Sequence, residues 1–135
     1  MAIEVGMKHE KRLQTGPEHS ARKFFQDVPE VFGTPFLGGL FEGACAELLA
    51  AHLGAGEMSV GISMNLKHLA ATPLGMEVRA VAEVSQVDGR KITCKVKGFD
   101  EKEKIGEAVH ERFIINAEKF NQKVDAKRAE SGRRP

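Results

Sequence analysis

Glu42 is the residue that most needs a chemical explanation. It stands between Phe41 and Gly43 in a stretch, Phe36 to Leu53, that is otherwise almost wholly apolar. A carboxylate in such surroundings is costly unless it is hydrogen-bonded or paired. A functional carboxylate in a partly dry pocket would have its reactivity set by burial. The plainer reading is that Glu42 faces a gap at the sheet edge and is solvated. On a helix its neighbours one turn back are Gly38 and Gly39, which leave an open groove beside it. His68 closes an alternating run on its apolar face. An imidazole there can serve as general acid or base near neutral pH, or simply be a satisfied core histidine. Thr34 has the residue type that caps a helix, and a helix N-terminus can also receive an anion or a carbonyl oxygen. Arg112 falls on the same strand face as His110 and Ile114. A solvated face or an ion pair with Glu111 or a neighbouring strand accounts for it without any function.

The elements that must position these residues can be read from pattern. Thr34 as N-cap and Pro35 at the first helical position predict a helix from Phe36 to Leu53, stopped by Gly54. Because it shows no polar face, it is expected to be buried. Ser59 to His68 alternates as a strand with Val60, Ile62, Met64, Leu66 and His68 on one face. Met76 to Val87 follows, with Val78, Ala80, Ala82 and Val84 inward. Asp88-Gly89 predicts a type I′ hairpin, then come Ile92, Cys94, Val96 and Gly98, and a last strand from Ile105 to Asn116. Lys8 to Thr15 reads as a charged edge strand, and a short helix that Ser20 could cap starts just after it. A second short helix is expected around Lys119 to Val124, followed by a frayed charged tail over about 125–135. A long helix followed by an antiparallel meander is an α+β arrangement, with the sheet wrapped round the helix in one domain spanning 1–135. The first long strand is left with a free edge, which pairing of two subunits would cover.

Composition narrows the function classes. The 135 residues carry 20 Lys+Arg against 19 Asp+Glu, so there is no basic field for nucleic acid. The first residues hold no apolar leader, and no apolar run reaches about 18 residues, so the expectation is a cytoplasmic protein with no membrane span. Cys45 and Cys94 are read as reduced core residues. The histidines have no metal-site spacing, and there is no phosphate-binding loop, serine elbow or dinucleotide fingerprint. No metal and no cofactor are expected.

Taken together, Phe32-Gly33-Thr34-Pro35-Phe36-Leu37-Gly38-Gly39-Leu40-Phe41-Glu42-Gly43-Ala44-Cys45, Gly61, His68-Leu69-Ala70-Ala71-Thr72-Pro73-Leu74-Gly75 and His110-Glu111-Arg112 resemble the fluoroacetyl-CoA thioesterase family of the hotdog superfamily. Val87-Asp88-Gly89-Arg90-Lys91 and Glu118-Lys119-Phe120-Asn121 extend the likeness to most of the chain. The resemblance implies a hotdog fold, at least a homodimer with sites at the subunit interface, and hydrolysis of an acyl-CoA substrate. It implies Thr34, Glu42 and His68 as the catalytic set. Glu42 would attack the thioester or activate water, His68 would protonate the departing thiolate, and Thr34 would orient Glu42 or the carbonyl. Gly61, Arg112, Val28 and Phe36 would bind the substrate along the acyl pocket. Val28 stands where a gating aromatic belongs in the family, which predicts no strong preference for fluoroacetyl over other acyl groups. The alternatives are a non-catalytic acyl-CoA-binding module and another hotdog enzyme such as a hydratase. For the catalytic reading, Glu42→Ala is expected to abolish turnover while leaving the fold intact or more stable.

Overall fold

A computed structural model of the chain describes residues 2–133. Five strands form one antiparallel sheet: β1 (Lys8–Gln14), β2 (Glu57–His68), β3 (Glu77–Asp88), β4 (Lys91–Phe99) and β5 (Lys104–Asn116), in the spatial order β1-β3-β4-β5-β2. The α1 helix (Thr34–Ala50) lies on one face, and α2 (Ala117–Ser131) follows β5. The expected α+β layout is present.

The alternation read from sequence groups Val78, Ala80, Ala82 and Val84 of β3 and Ile92, Cys94 and Val96 of β4, and all are in the core, joined by Ile114 of β5. These side chains meet Leu37, Leu40, Phe41, Ala44, Cys45, Leu48 and Leu49 of α1. Two cross-strand glycines set how closely the helix approaches. Gly98 and Gly106 face each other between β4 and β5. A Cβ on Gly98 would lie 2.8 Å from the Phe41 ring, and one on Gly106 2.9 Å from Leu37 Cδ2. Their bare backbone is the seat for the helix.

Several local expectations are corrected. The α1 helix starts one position earlier than Thr34 as cap would require: Gly33 is the N-cap, makes no side-chain cap bond, and leaves the Thr34 hydroxyl free for another partner. The helix ends at Ala50, capped by Ala51, so Gly54 is not its stop. Its apolar count was inflated by small residues. The sheet covers one side only, and Pro35, Gly39, Glu42 and Ala50 are exposed. The β3–β4 loop is Gly89-Arg90 and not Asp88-Gly89, because Asp88 pairs with Lys91. Only Gly89 has positive φ, +61°, the pattern of a type II′ turn. The Ser20-capped helix is a single 3-10 turn, Ala21–Lys23. Helix α2 runs on to Ser131 and closes at Gly132 with φ 69°, further than the short segment expected, and none of it is buried.

The most consequential correction is in β2. Gly61 pairs with Arg112 and Ser63 with Glu111, so Ile62 is an extra residue, a β-bulge. The bulge reverses the parity of the strand. Ser59 and Gly61 before it share the helix-facing side with Met64, Leu66 and His68 after it, while Ile62 turns outward and is 52% exposed. Simple alternation had put Val60 and Ile62 on the inner face. The bulge is what lets Gly61 and His68 serve the same side of the sheet.

Candidate active site

Two polar pairs along α1 involve the expected site residues. The first is at its N-terminus. Thr34 Oγ1 and His68 Nδ1 share a hydrogen bond of 2.8 Å. Capping therefore does not explain Thr34; its hydroxyl is turned to the histidine at the end of β2. The other ring nitrogen, His68 Nε2, is buried and has no hydrogen-bond partner among the described residues. Burial also pushes His68 below the ordinary histidine value, against the opposite pull of the Ala70 backbone. A satisfied core histidine would have both nitrogens engaged. An open cleft of 320 Å³ lies here, bordered by Thr34, His68, Val31, Phe32, Leu69 and Ala70.

The second pair is two turns further on. Arg112 Nη1 donates to Glu42 Oε2 at 3.2 Å. The two partners differ sharply in setting, since the Arg112 side chain is 6% exposed and that of Glu42 is 52% exposed. Arg112 is also held by Ser59, its Nε donating to Oγ at 2.8 Å and its Nη2 to the carbonyl at 2.9 Å. The guanidinium is thus clamped while the carboxylate is presented to the open face of the helix. Glu42 is neither unpaired nor merely solvated. Its expected stabilising removal is corrected as well: deleting it would strip a partner from a buried cation rather than relieve a buried anion. Glu111, the partner offered to Arg112 by sequence, instead pairs with Lys91 at 3.0 Å and accepts from Ser63 at 2.6 Å.

Gly61 lies against this second pair. A Cβ there would run into Glu42 Oε2, and would sit 3.1 Å from His110 Cε1 and 3.3 Å from Arg112 Nη1. Gly61→Ala is therefore expected to displace Glu42 and cut kcat by on the order of 10²-fold, since small misplacements of a reacting group have effects of that size. Turnover of the alanine variant alongside wild type checks this; an unchanged kcat would mean that the carboxylate has room to move without consequence.

The remaining expected site residues are placed less centrally. Phe36 stacks edge-on with His19, ring centroids 5.6 Å apart, and packs against Phe24 at 5.5 Å. It lines a neighbouring apolar hollow of 280 Å³ with Leu13, His19, Pro35, Gly39 and Leu40. Val28 is half-buried, and its carbonyl accepts from Arg22 Nε at 2.9 Å. Val31 and Phe32, not Val28, border the Thr34–His68 cleft. Sequence reasoning missed Ser59 and His110. Ser59 gave no signal, because the bulge determines which way it faces. His110 did give one: it lies two residues before Arg112 on an inward strand face.

No group of three His, Cys, Asp or Glu side chains among the described residues could hold a metal ion. No helix there is long and apolar enough to cross a membrane.

An antiparallel sheet seated on one long helix is the architecture of the hotdog thioesterases. Comparison with solved structures agrees. The fluoroacetyl-CoA thioesterase FlK superposes with a TM-score of 0.88 and 37% identity, covering 94% of this chain and 98% of that one. A thioesterase-superfamily protein of Thermus thermophilus superposes with a TM-score of 0.91 at 24% identity over 97% of each chain, a likeness of fold. A fluoroacetyl-CoA thioesterase of Streptantibioticus cattleyicolor is 44% identical over 103 residues, 76% of this chain and 74% of its own. Residues 16–118 match the family described as fluoroacetyl-CoA-specific thioesterase. The chain belongs to that family, and it is a hydrolase of the thioesterase class.

Proposed function

We propose that this protein hydrolyses acyl-CoA thioesters at a site built from Thr34, Glu42 and His68 and completed by a second copy of the chain. The observation that carries the reading is the unsatisfied His68 Nε2 beside an open cleft, with Nδ1 held by Thr34. When the Thr34 hydroxyl donates to Nδ1, the ring proton resides on Nε2, where it can be given to a departing thiolate. Glu42, fixed through Arg112, takes a proton from water as hydroxide adds to the thioester carbonyl, or attacks that carbon itself and forms an anhydride that water then opens. In either case the C–S bond breaks, the sulfur receives the proton from Nε2, and free acid and CoA leave.

One chain alone does not bring the three residues together. Thr34 and Glu42 are eight positions apart on α1, about 12 Å along the axis at 1.5 Å per residue. Strand β2 is a sheet edge, and the bare stripe of Pro35, Gly39 and Glu42 lies on the open side of the helix. Pairing two β2 edges about a two-fold axis would set the two α1 helices antiparallel. The Thr34–His68 pair of one copy would then approach Glu42 of the other. This supports a homodimer or a higher assembly of dimers. No cofactor or metal enters the scheme; the CoA ester is substrate. The free buried thiols of Cys45 and Cys94 fit a cytoplasmic setting. Val28, an aliphatic side chain in the segment before α1, supports a broad acyl preference without strong discrimination for fluoroacetyl.

The test is thiol release from a panel of acyl-CoA esters, short to long and including fluoroacetyl and aryl esters, at known oligomeric state. Release dependent on Glu42 by a dimer or larger species is the expected result. Binding of CoA esters without release would replace the reading with a non-catalytic binding module. A strong preference for fluoroacetyl-CoA over acetyl-CoA would overturn the inference from Val28.

A further inference from the structure

His110 is the buried histidine that the scheme above does not use. It is 2% exposed, on the helix-facing side of β5. Its Nδ1 lies 2.7 Å from the Ser63 carbonyl and its Nε2 lies 3.1 Å from Arg112 Nη1. These two partners leave a single assignment of the ring proton. A carbonyl can only accept, so Nδ1 carries the proton and donates. A guanidinium can only donate, so Nε2 is the acceptor. The ring is therefore neutral and of one tautomer. The Arg112 Nη1 group divides its two protons between His110 and Glu42. A chain of contacts runs from the backbone of β2, just after its bulge, through His110 and Arg112 to the carboxylate.

We propose that His110 is a positioning residue for Glu42: as a neutral acceptor at Nε2 it fixes the Arg112 guanidinium, and its protonation would set that guanidinium loose from the carboxylate. The inference rests on the reading of Glu42 as the reacting carboxylate. A protonated ring would point an N–H at Arg112 Nη1, donor against donor and cation against cation. Arg112 would have to swing away, and its bond to Glu42 would go with it.

The groups that face His110 can be named for each packed element. Arg112 lies on its own strand, and Glu42 comes from α1. Cys94 of β4 is its cross-strand partner, with Cys45 of α1 against that thiol. Strand β2 supplies the Ser63 carbonyl and, in register, Met64. Burial, with the Arg112 charge adding to it, holds His110 below the ordinary histidine value, against the opposite pull of the Ser63 carbonyl and Glu42. The sign follows. The ring stays neutral, and the clamp intact, at and above the ordinary histidine range of about 6.5. The clamp is lost as pH falls below that range through the lowered native value.

Two substitutions separate positioning from packing. His110→Gln can place an amide oxygen near the Nε2 position and keep an acceptor for Arg112. His110→Asn is shorter, can keep the donor to Ser63, and withdraws the acceptor. The expected result is a fall in kcat on the order of 10²-fold for the asparagine variant, with KM less affected, and recovery well above that level in the glutamine variant. The acid limb of the wild-type kcat profile should carry one more protonation, that of His110, than the limb of His110→Gln. Nitrogen-15 spectra of the imidazole and guanidinium groups supply a readout that needs no turnover. His110 should show the Nδ1–H tautomer, and the Arg112 Nη protons should exchange slowly in wild type and in the glutamine variant but not in the asparagine variant.

Equal kcat and equal Arg112 signals in the two variants would overturn the proposal, as would an Nε2–H tautomer in wild type. If the asparagine variant does not fold, a glutamine variant whose acid limb matches that of wild type overturns it equally. If wild type releases no thiol from any ester while the nitrogen spectra are as expected, it is the thioesterase reading of the site that fails, and the His110–Arg112–Glu42 clamp stands.

Discussion

Glu42→Gln is expected to lower thiol release by roughly 10³-fold, the scale on which loss of a positioned base acts, and by more if the carboxylate is the nucleophile. The amide keeps an oxygen where Arg112 Nη1 donates at 3.2 Å, so the guanidinium retains all its partners and melting is little changed. Removal of the side chain in Glu42→Ala should give the same loss of turnover with a modest loss of stability, about 1 kcal/mol, because the ion pair is half open to solvent on the carboxylate side. The measurement is kcat for both variants beside thermal melts of each. Turnover within a few-fold of wild type in the glutamine variant would take Glu42 out of the chemistry. A large fall in melting temperature would mean that the loss of activity reports folding.

The second large effect is expected from Arg112→Lys. Arg112 donates to Ser59 Oγ, the Ser59 carbonyl, His110 Nε2 and Glu42 Oε2. A lysine is a single point charge on a flexible stem and cannot reproduce that fork. It would leave the His110 acceptor and the Ser59 groups unmatched in a site where the arginine is 5% exposed. A loss of about 2–4 kcal/mol is expected, the scale for breaking a buried, hydrogen-bonded charge network. Turnover should fall with it, because Glu42 loses the group that orients it. Chemical denaturation gives the first number and steady-state kinetics at a temperature where the variant is folded gives the second. Wild-type stability in the lysine variant would show that the clamp contributes little to the fold.

Much of this molecule is legible in its sequence where a physical rule is local. Period-two alternation in β3, β4 and β5 depends only on which side chains are apolar, so Val78, Ala80, Ala82, Val84, Ile92, Cys94 and Val96 are correctly placed inward. The Pro35 signal finds the start of α1 to within one residue. The grouping of His110, Arg112 and Ile114 on one strand face follows from the same alternation; that this face turns inward does not, since the opposite face carries Val109, Phe113 and Ile115. The motif likeness also identifies the family, because residues 16–118 keep the order and spacing of its segments. These properties depend on composition and on neighbours a few positions away, which a linear chain records directly.

What only the tertiary structure decides is the partner of each polar group. The β2 bulge at Ile62 comes from pairing with β5, so no local pattern announces that Ser59 and Gly61 face inward with His68. Thr34 could equally cap its own helix, until β2 brings His68 Nδ1 to 2.8 Å from its hydroxyl. Arg112 could equally meet Glu111 or water, until α1 sets Glu42 above it and that ion pair forms between residues 70 positions apart in sequence. Hydrogen bonds are short-ranged and directional, and their energies depend on burial. The same side chains therefore acquire a role only once the sheet has closed under the helix and fixed which donor meets which acceptor.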